Sequence, residues 1–240
     1  MTNADSVDAT GDLPDWLLPL ADGLQDAERR EQVVSIRPGL GGRKAAVLVL
    51  IGAGDDGPEI LFVERAATMR THPGQVALPG GATDPGDVDL VDTALREAVE
   101  ETGVDRSGIV VLGSLPAAHV AVSGFDVTTV VAWWRTPSPV TAVDPREAES
   151  VHIISVAELV DPEHRVQVRH PLGYTGPGFQ VHGLLIWGLT AHLIDGVLDL
   201  AGWQRPWDQS RHAAIPERHL RDSRNVEGRD HPELGEPNAH

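Results

Sequence analysis

Residues 78–104 read LPGGATDPGDVDLVDTALREAVEETGV, and the periodicity of the second half predicts a helix over Leu90 to Thr102. Leu90, Val91, Ala94, Leu95, Ala98 and Val99 recur at helical spacing as one apolar stripe, so this helix packs against a core. Pro85-Gly86-Asp87 closes the loop before it, Asp87 or Asp89 can cap its start, and Gly103 can take the left-handed conformation that stops it. Glu97 and Glu101 stand one turn apart on another face, with Glu100 flanking them. Carboxylates gathered at the negative pole of a helix are electrostatically unfavourable. Such hard oxygen donors suit Mg²⁺ or Mn²⁺. A solvated acidic face, with Arg96 paired to Glu100, accounts for the same spacing. Gly80 and Gly81 leave room for close backbone approach, and the Gly81 carbonyl can add an uncharged ligand; an ordinary tight turn is the other reading.

Outward from this stretch the pattern is β. KAAVLVLIGAG (44–54) and EILFVER (59–65) read as strands joined by the turn-rich AGDDGP, a hairpin signature. Further strands are expected at Gly108 to Leu115, Val127 to Trp134 and Val151 to Ile154. Asp15 to Leu24 predicts a short helix capped by Asp15. Val181 to Leu200 reads as one long, buried helix interrupted by Gly183, Gly188 and Gly196. The expected fold class is α/β: a mixed sheet between helices, occupying residues 13–206 as one domain. Residues 1–12 read as a disordered acidic N-terminus. Residues 207–240, rich in charge, proline and histidine, read as a disordered charged tail, because they bury too little apolar surface to offset ordering entropy.

The whole chain has 240 residues, 41% hydrophobic, with no cysteine and a formal net charge of −17. A sizeable core is therefore available, while disulfides and thiolate metal sites are excluded. The negative charge argues against nucleic acid as a partner, since phosphate backbones are bound by clustered Lys and Arg. No apolar run approaches the roughly 20 residues of a membrane helix, and the N-terminus lacks a signal-peptide pattern; a cytoplasmic protein is the expectation. An anionic substrate would be repelled by the overall field, so a site for one needs local cations.

With those residues in view, the run from Gly80 to Val104 resembles the Nudix box. Arg96, Glu97, Ala98, Glu100, Glu101, Gly103 and Val104 match its Arg-Glu-hydrophobic-any-Glu-Glu-any-Gly-hydrophobic half. The first half departs from it: 14 residues separate Gly81 from Arg96, one more than usual, and only Asp87, after a one-residue shift, answers to the box's first glutamate. The longer spacing is similar to the coenzyme A pyrophosphatase branch. Upstream, Arg65, His72, Gly74, Gln75, Val76, Pro79, Gly80 and Gly81 match that branch's extended signature, with Leu78 where Phe is usual. SGFDVTTVVAW (123–133) and LIWGLTAHLI (185–194) resemble it too, with Thr129 in place of a common Pro.

The resemblance implies a Nudix-type α/β/α sandwich and a pyrophosphohydrolase. By that resemblance Glu97, Glu100, Glu101 and Gly81 would hold Mg²⁺ or Mn²⁺, Glu97 or Glu100 would accept the proton of the attacking water, and Arg96 would orient the glutamates. Arg65, Arg70, His72 and Gln75 would meet the substrate, although solvated-loop roles for Arg70 and His72 and a loop-bracing role for Gln75 stand beside that assignment. Glu147 and Glu149 are candidates for a further ligand or base, with charged residues leading into a strand as the plainer reading; His119 is expected to be exposed. The implied partner is a small molecule, coenzyme A or a related nucleotide, with neither nucleic acid nor membrane, and a homodimer is compatible. Another nucleoside diphosphate derivative, or a non-catalytic Nudix-fold ligand sensor, are the alternatives.

Overall fold

An apolar run buried on both faces sets the centre of the molecule. In the computed structural model, which describes residues 13–34, 38–69, 72–121, 123–170, 173 and 175–220, strand β1 spans Arg43–Gly54. Its side chains alternate: Ala46, Leu48 and Leu50 face one hydrophobic cluster, Val49 and Ile51 another. A strand flanked on both faces is continuously apolar for this reason, with the period of two still choosing the side.

β2 (Gly57–Arg65) returns antiparallel to β1 from Ile51↔Ile60 to Gly54↔Gly57, completing the expected hairpin. The short strands β3 (Val76–Ala77) and β4 (Gly80–Ala82) follow. β4 pairs antiparallel with the first half of β1, at Ala45↔Ala82 through Val47↔Gly80. Helix α3 (Leu90–Thr102) then crosses one face of the sheet. β5 (Ile109–Ser114), β6 (Ala118–Val120) and β7 (Phe125–Trp134) continue the sheet, with β7 parallel to β1 along Arg43↔Phe125 to Ile51↔Trp133. β8 (Ala148–Ser155) closes against β2. The sheet is therefore mixed, as expected.

Ala94, Leu95 and Ala98 of α3 are buried on β1 and β7, which reproduces the predicted stripe, although Val99 is exposed. On the opposite face lie α1 (Leu18–Gln25), α2 (Ala27–Val34) and α5 (Gly188–Leu200). Each fully buried Leu or Ile contributes about 1.5–3 kcal/mol, so two such clusters hold the helix–sheet–helix layering. A second sheet is built from β9 (Arg165–Arg169), β10 (Thr175–Val181), β11 (Leu184–Ile186) and β12 (His212–Ala214). Between the sheets, Val156–Leu159 forms the single turn α4, closed by a Ser155–Glu158 capping box.

Four expectations are corrected. The helix foreseen over Val181 to Leu200 begins at Gly188; before it, β10 and β11 form a hairpin whose two turn residues, His182 and Gly183, have φ of 53° and 77°. Two positive-φ residues match the twist of a two-residue hairpin, and apolar content alone did not separate a buried strand from a buried helix. Asp15 sits inside a 3-10 turn, Asp15–Leu17, rather than capping α1, which has no side-chain cap. His119 is not exposed: its side chain is 19% accessible and Nδ1 lies 2.7 Å from Asp126 Oδ1. Asp126 also accepts N–H groups from Leu40, Gly41 and Gly42, and these bonds, led by His119, hold its carboxyl down at about 2.

The fourth correction concerns the tail. Residues 207–220 are ordered: β12 runs parallel to β9, Gln167 N–H donates to the Arg211 carbonyl at 2.7 Å, and Ile215 is buried against Val166, Val168 and Leu185. Trp207 and Phe179 cover the guanidinium of Arg165, at 4.7 and 4.5 Å from its carbon. Arg165 is buried and ion-paired to Asp195. Backbone pairing and one aromatic anchor supply the stability that side-chain composition did not advertise. Residues 1–12 and 221–240 lie outside the described residues, and among the described residues no helix is long and apolar enough to cross a membrane.

Candidate active site

Asp89 caps α3 by accepting the Asp92 N–H at 2.8 Å, and Gly103, with φ of 68°, stops it. This short, closed helix presents its acidic C-terminal turns to the β4 strand. At Gly80 nothing larger fits, and at Gly81 a side chain would have to displace the Glu97 carboxylate. A Cβ on Gly80 would overlap the Ala46 carbonyl and Val47, and one on Gly81 would overlap the Glu97 carboxylate. Gly80 is thus required for close approach of strand and strand, and Gly81 leaves the Glu97 carboxylate its place.

The three glutamates occupy different environments. Glu101 is 8% exposed and accepts the Gly80 N–H at 3.0 Å. Burial raises its pKa to about 7 despite the opposing effects of that hydrogen bond and the Arg65 charge; Glu97 and Glu147 push it the same way as burial. Glu97 is partly buried beside Gly81, and desolvation raises its pKa, with the Arg96 hydrogen bond opposing. Glu100 points outward, its side chain 55% exposed, and takes Arg96 Nη1 at 3.0 Å.

Arg96 organises this end of the helix. Its Nε and Nη2 donate to both oxygens of Asp87 at 2.8 and 3.1 Å, Nη1 donates to Glu97 at 2.9 Å, and Nη2 also reaches the Ala82 carbonyl at 3.1 Å. Asp87 further accepts the Thr93 hydroxyl at 2.8 Å. Its carboxyl is held well below the usual range, chiefly by Arg96. A bidentate carboxylate fixes the guanidinium plane and so the direction in which it offers Nη1 to Glu97 and Glu100. Asp87→Asn, which preserves shape but loses the charge, is expected to cost about tenfold in kcat, in the range of outer-shell changes; steady-state kinetics with unchanged melting would check it, and wild-type kcat would refute the orienting role.

The predicted substrate residues are placed unequally. Arg65 ends β2, its backbone bonded to Gly74 N–H and the Gln75 carbonyl at 3.1 and 2.9 Å. Its charge bears on Glu101, and its buried Nε has no partner among the described residues. His72, with φ of 54°, turns the chain into Gly74. Gln75 Nε2 donates to the His219 carbonyl at 3.3 Å, so it braces the loop. Arg70 lies outside the described residues. Glu149 is exposed on β8. Glu147, exposed just before β8, is near enough to bear on the site: its carbonyl accepts the Ala66 N–H beside Arg65, and its charge adds a small upward push to the pKa of Glu97 and Glu101. No local pattern marks it, because it reaches the site through sheet pairing.

Among the described residues no three acidic or imidazole groups are drawn together as a ready cation cage. The donor set nevertheless fits a hard divalent cation, for Glu97 and Glu101 are carboxylates whose pKa burial raises despite Arg96 and Arg65, and they lie beside the Gly80-Gly81 backbone.

A family model described as NUDIX domain matches residues 42–172. A Cronobacter sakazakii protein called uncharacterized Nudix hydrolase NudL is 38% identical over 165 residues, covering 66% of this chain and 82% of that one. A Photorhabdus laumondii protein of the same description is 36% identical over 160 residues, 63% of this chain and 81% of that one. Among solved structures, the Nudix hydrolase RenU of M. smegmatis aligns at a TM-score of 0.50 and 21% identity, over 71% of this chain and 92% of that chain, a likeness of fold.

Proposed function

The chain belongs to the Nudix family, and from this premise we propose that it hydrolyses the diphosphate bond of coenzyme A and its derivatives, yielding 4′-phosphopantetheine, or its acyl form, and adenosine 3′,5′-bisphosphate. The family act on nucleoside diphosphate derivatives; the narrower substrate rests on the match of Arg65, His72, Gly74 and Gln75 to the coenzyme A branch. The observation that carries it is the bonding of the Gly74–Gln75 loop to Arg65, beside the buried carboxylate of Glu101.

Glu97, Glu100, Glu101 and the Gly81 carbonyl are the residues that would hold Mg²⁺ or Mn²⁺. Such a cation supplies charge neutralisation for the diphosphate and lowers the pKa of bound water. Water adds to one phosphorus, the bond from that phosphorus to the bridging oxygen breaks, and a carboxylate takes the proton released. Glu97 is the better base of the two candidates: it is partly desolvated with a raised pKa, whereas Glu100 is exposed. A base works best when its pKa approaches the working pH. Arg96, fixed by Asp87, orients Glu97 and Glu100. Arg65, whose charge bears on Glu101, is the cation that would meet a phosphate oxygen.

Incubation with coenzyme A, ADP-ribose, NADH and nucleoside triphosphates, with and without Mg²⁺ or Mn²⁺, tests this by mass analysis of products. The expected result is cation-dependent release of 4′-phosphopantetheine. Cleavage of another substrate without it would reject the coenzyme A reading, and cleavage of none would favour a ligand sensor.

A further inference from the structure

The ordered C-terminal segment does more than complete the second sheet. From β12 the chain continues through the buried Ile215 to a 3-10 turn, Glu217–Leu220, that seats His219 on the loop preceding β3. His219 is 3% exposed; its Nε2 stands over Gly74, and its carbonyl accepts the Gln75 amide. Gly74 and Gln75 are in turn bonded to the Arg65 backbone. The segment therefore lies one contact away from the loop to which substrate binding is assigned above.

Arg218, like the neighbouring Glu217, is exposed at this junction. Its Nε donates to His219 Nε2 at 3.1 Å, which fixes the guanidinium plane and leaves Nη1 and Nη2 without a protein partner among the described residues. It makes no ion pair among them either, in a chain with a net charge of −17. Arg96, Arg106, Arg146 and Arg165, by contrast, hold carboxylates. A guanidinium held by its Nε, with a free two-nitrogen edge, is suited to a phosphate group.

We propose that Arg218 is a specificity-determining residue that binds a phosphate group of the substrate outside the diphosphate itself, and that His219 is the positioning residue that holds it at the Gly74–Gln75 loop. The proposal rests on the hydrolase and coenzyme A readings above, and a binding measurement without turnover keeps its failure distinguishable from theirs.

The test uses the full chain and its Arg218→Glu and Arg218→Lys variants, with coenzyme A and with the same molecule lacking its 3′-phosphate. Arg218→Glu should raise KM about tenfold or more for the phosphorylated compound, the size of one charged hydrogen bond. It should change KM less than about twofold for the other, with kcat and melting temperature preserved, and Arg218→Lys should recover part of the loss. Equal KM changes for both compounds, or none, would overturn the proposal. If the wild type cleaves neither, the coenzyme A reading falls separately. Calorimetry of adenosine 3′,5′-bisphosphate against AMP then reads Arg218 without turnover. Loss of the preference for the bisphosphate in Arg218→Glu supports the proposal; an unchanged preference, or none in the wild type, overturns it. His219→Ala, which unseats the turn, should weaken the same preference while Gln167-anchored β12 stays in place.

Discussion

Glu97→Gln is expected to lower kcat by about a thousandfold, within the range for removing a positioned acid–base group, while leaving the protein folded. The substitution is isosteric, so the contact with Gly81 and a hydrogen bond from Arg96 Nη1 survive in shape. It removes the charge and the basicity together. Because Glu97 is only partly buried and already has a raised pKa, neutralising it should not destabilise the helix. Single-turnover kinetics on the best substrate, with circular dichroism as the folding control, measures the effect. A near-wild-type rate would remove Glu97 from the chemistry, and a larger loss in Glu100→Gln would transfer the base to Glu100.

The second large effect is the contribution of Glu101 to the dependence of stability on pH, read as the difference between the wild type and Glu101→Gln. Glu101 titrates at about 7 in the folded chain against an ordinary value of 4.5. Below about 4.5 it is protonated in both states and imposes no penalty. Between there and about 7 the folded state holds the extra proton, so stability falls as pH rises, and above about 7 the full penalty applies. That difference corresponds to something on the order of 3 kcal/mol, or about 5–10 °C of melting temperature for a domain of this size. Relative to Glu101→Gln, chelated wild-type protein should therefore lose melting temperature between pH 5.5 and pH 8. Glu101→Gln should flatten the profile and melt higher at pH 8, yet lose turnover. Added Mg²⁺ or Mn²⁺ should restore the wild type at pH 8 by binding the ionised form. A wild-type profile as flat as that of the variant would refute the assignment.

Much of the site was legible in residues 78–104. The stripe of Leu90, Ala94, Leu95 and Ala98 defined the helix, Gly103 its stop, and the spacing of Glu97 and Glu101 their shared face, because all are local and repeat with the backbone period. The departure at Asp87 also carried its own answer: one residue further along the loop, it still reaches Arg96 with both oxygens. The hairpin between 181 and 186 was not legible, since a buried strand and a buried helix are equally apolar and only the His182-Gly183 backbone distinguished them. Nor was the order of residues 207–220, which depends on β9 as a pairing partner and on Arg165 beneath Trp207.

By itself the sequence determined the α/β class, the β1–β2 hairpin, helix α3 with its acidic turns, and the family to which the chain belongs, because each is written in periodicity or in contiguous motif. Only the tertiary structure decided which carboxylates are buried, that Glu147 bears on Glu97 and Glu101, and that the C-terminal turn sits on the Gly74–Gln75 loop. Desolvation and charge proximity arise between segments far apart in the chain, so no local pattern encodes them. For the same reason Arg218, unremarkable in a charged tail, becomes a candidate for substrate recognition once β12 has brought it to the loop.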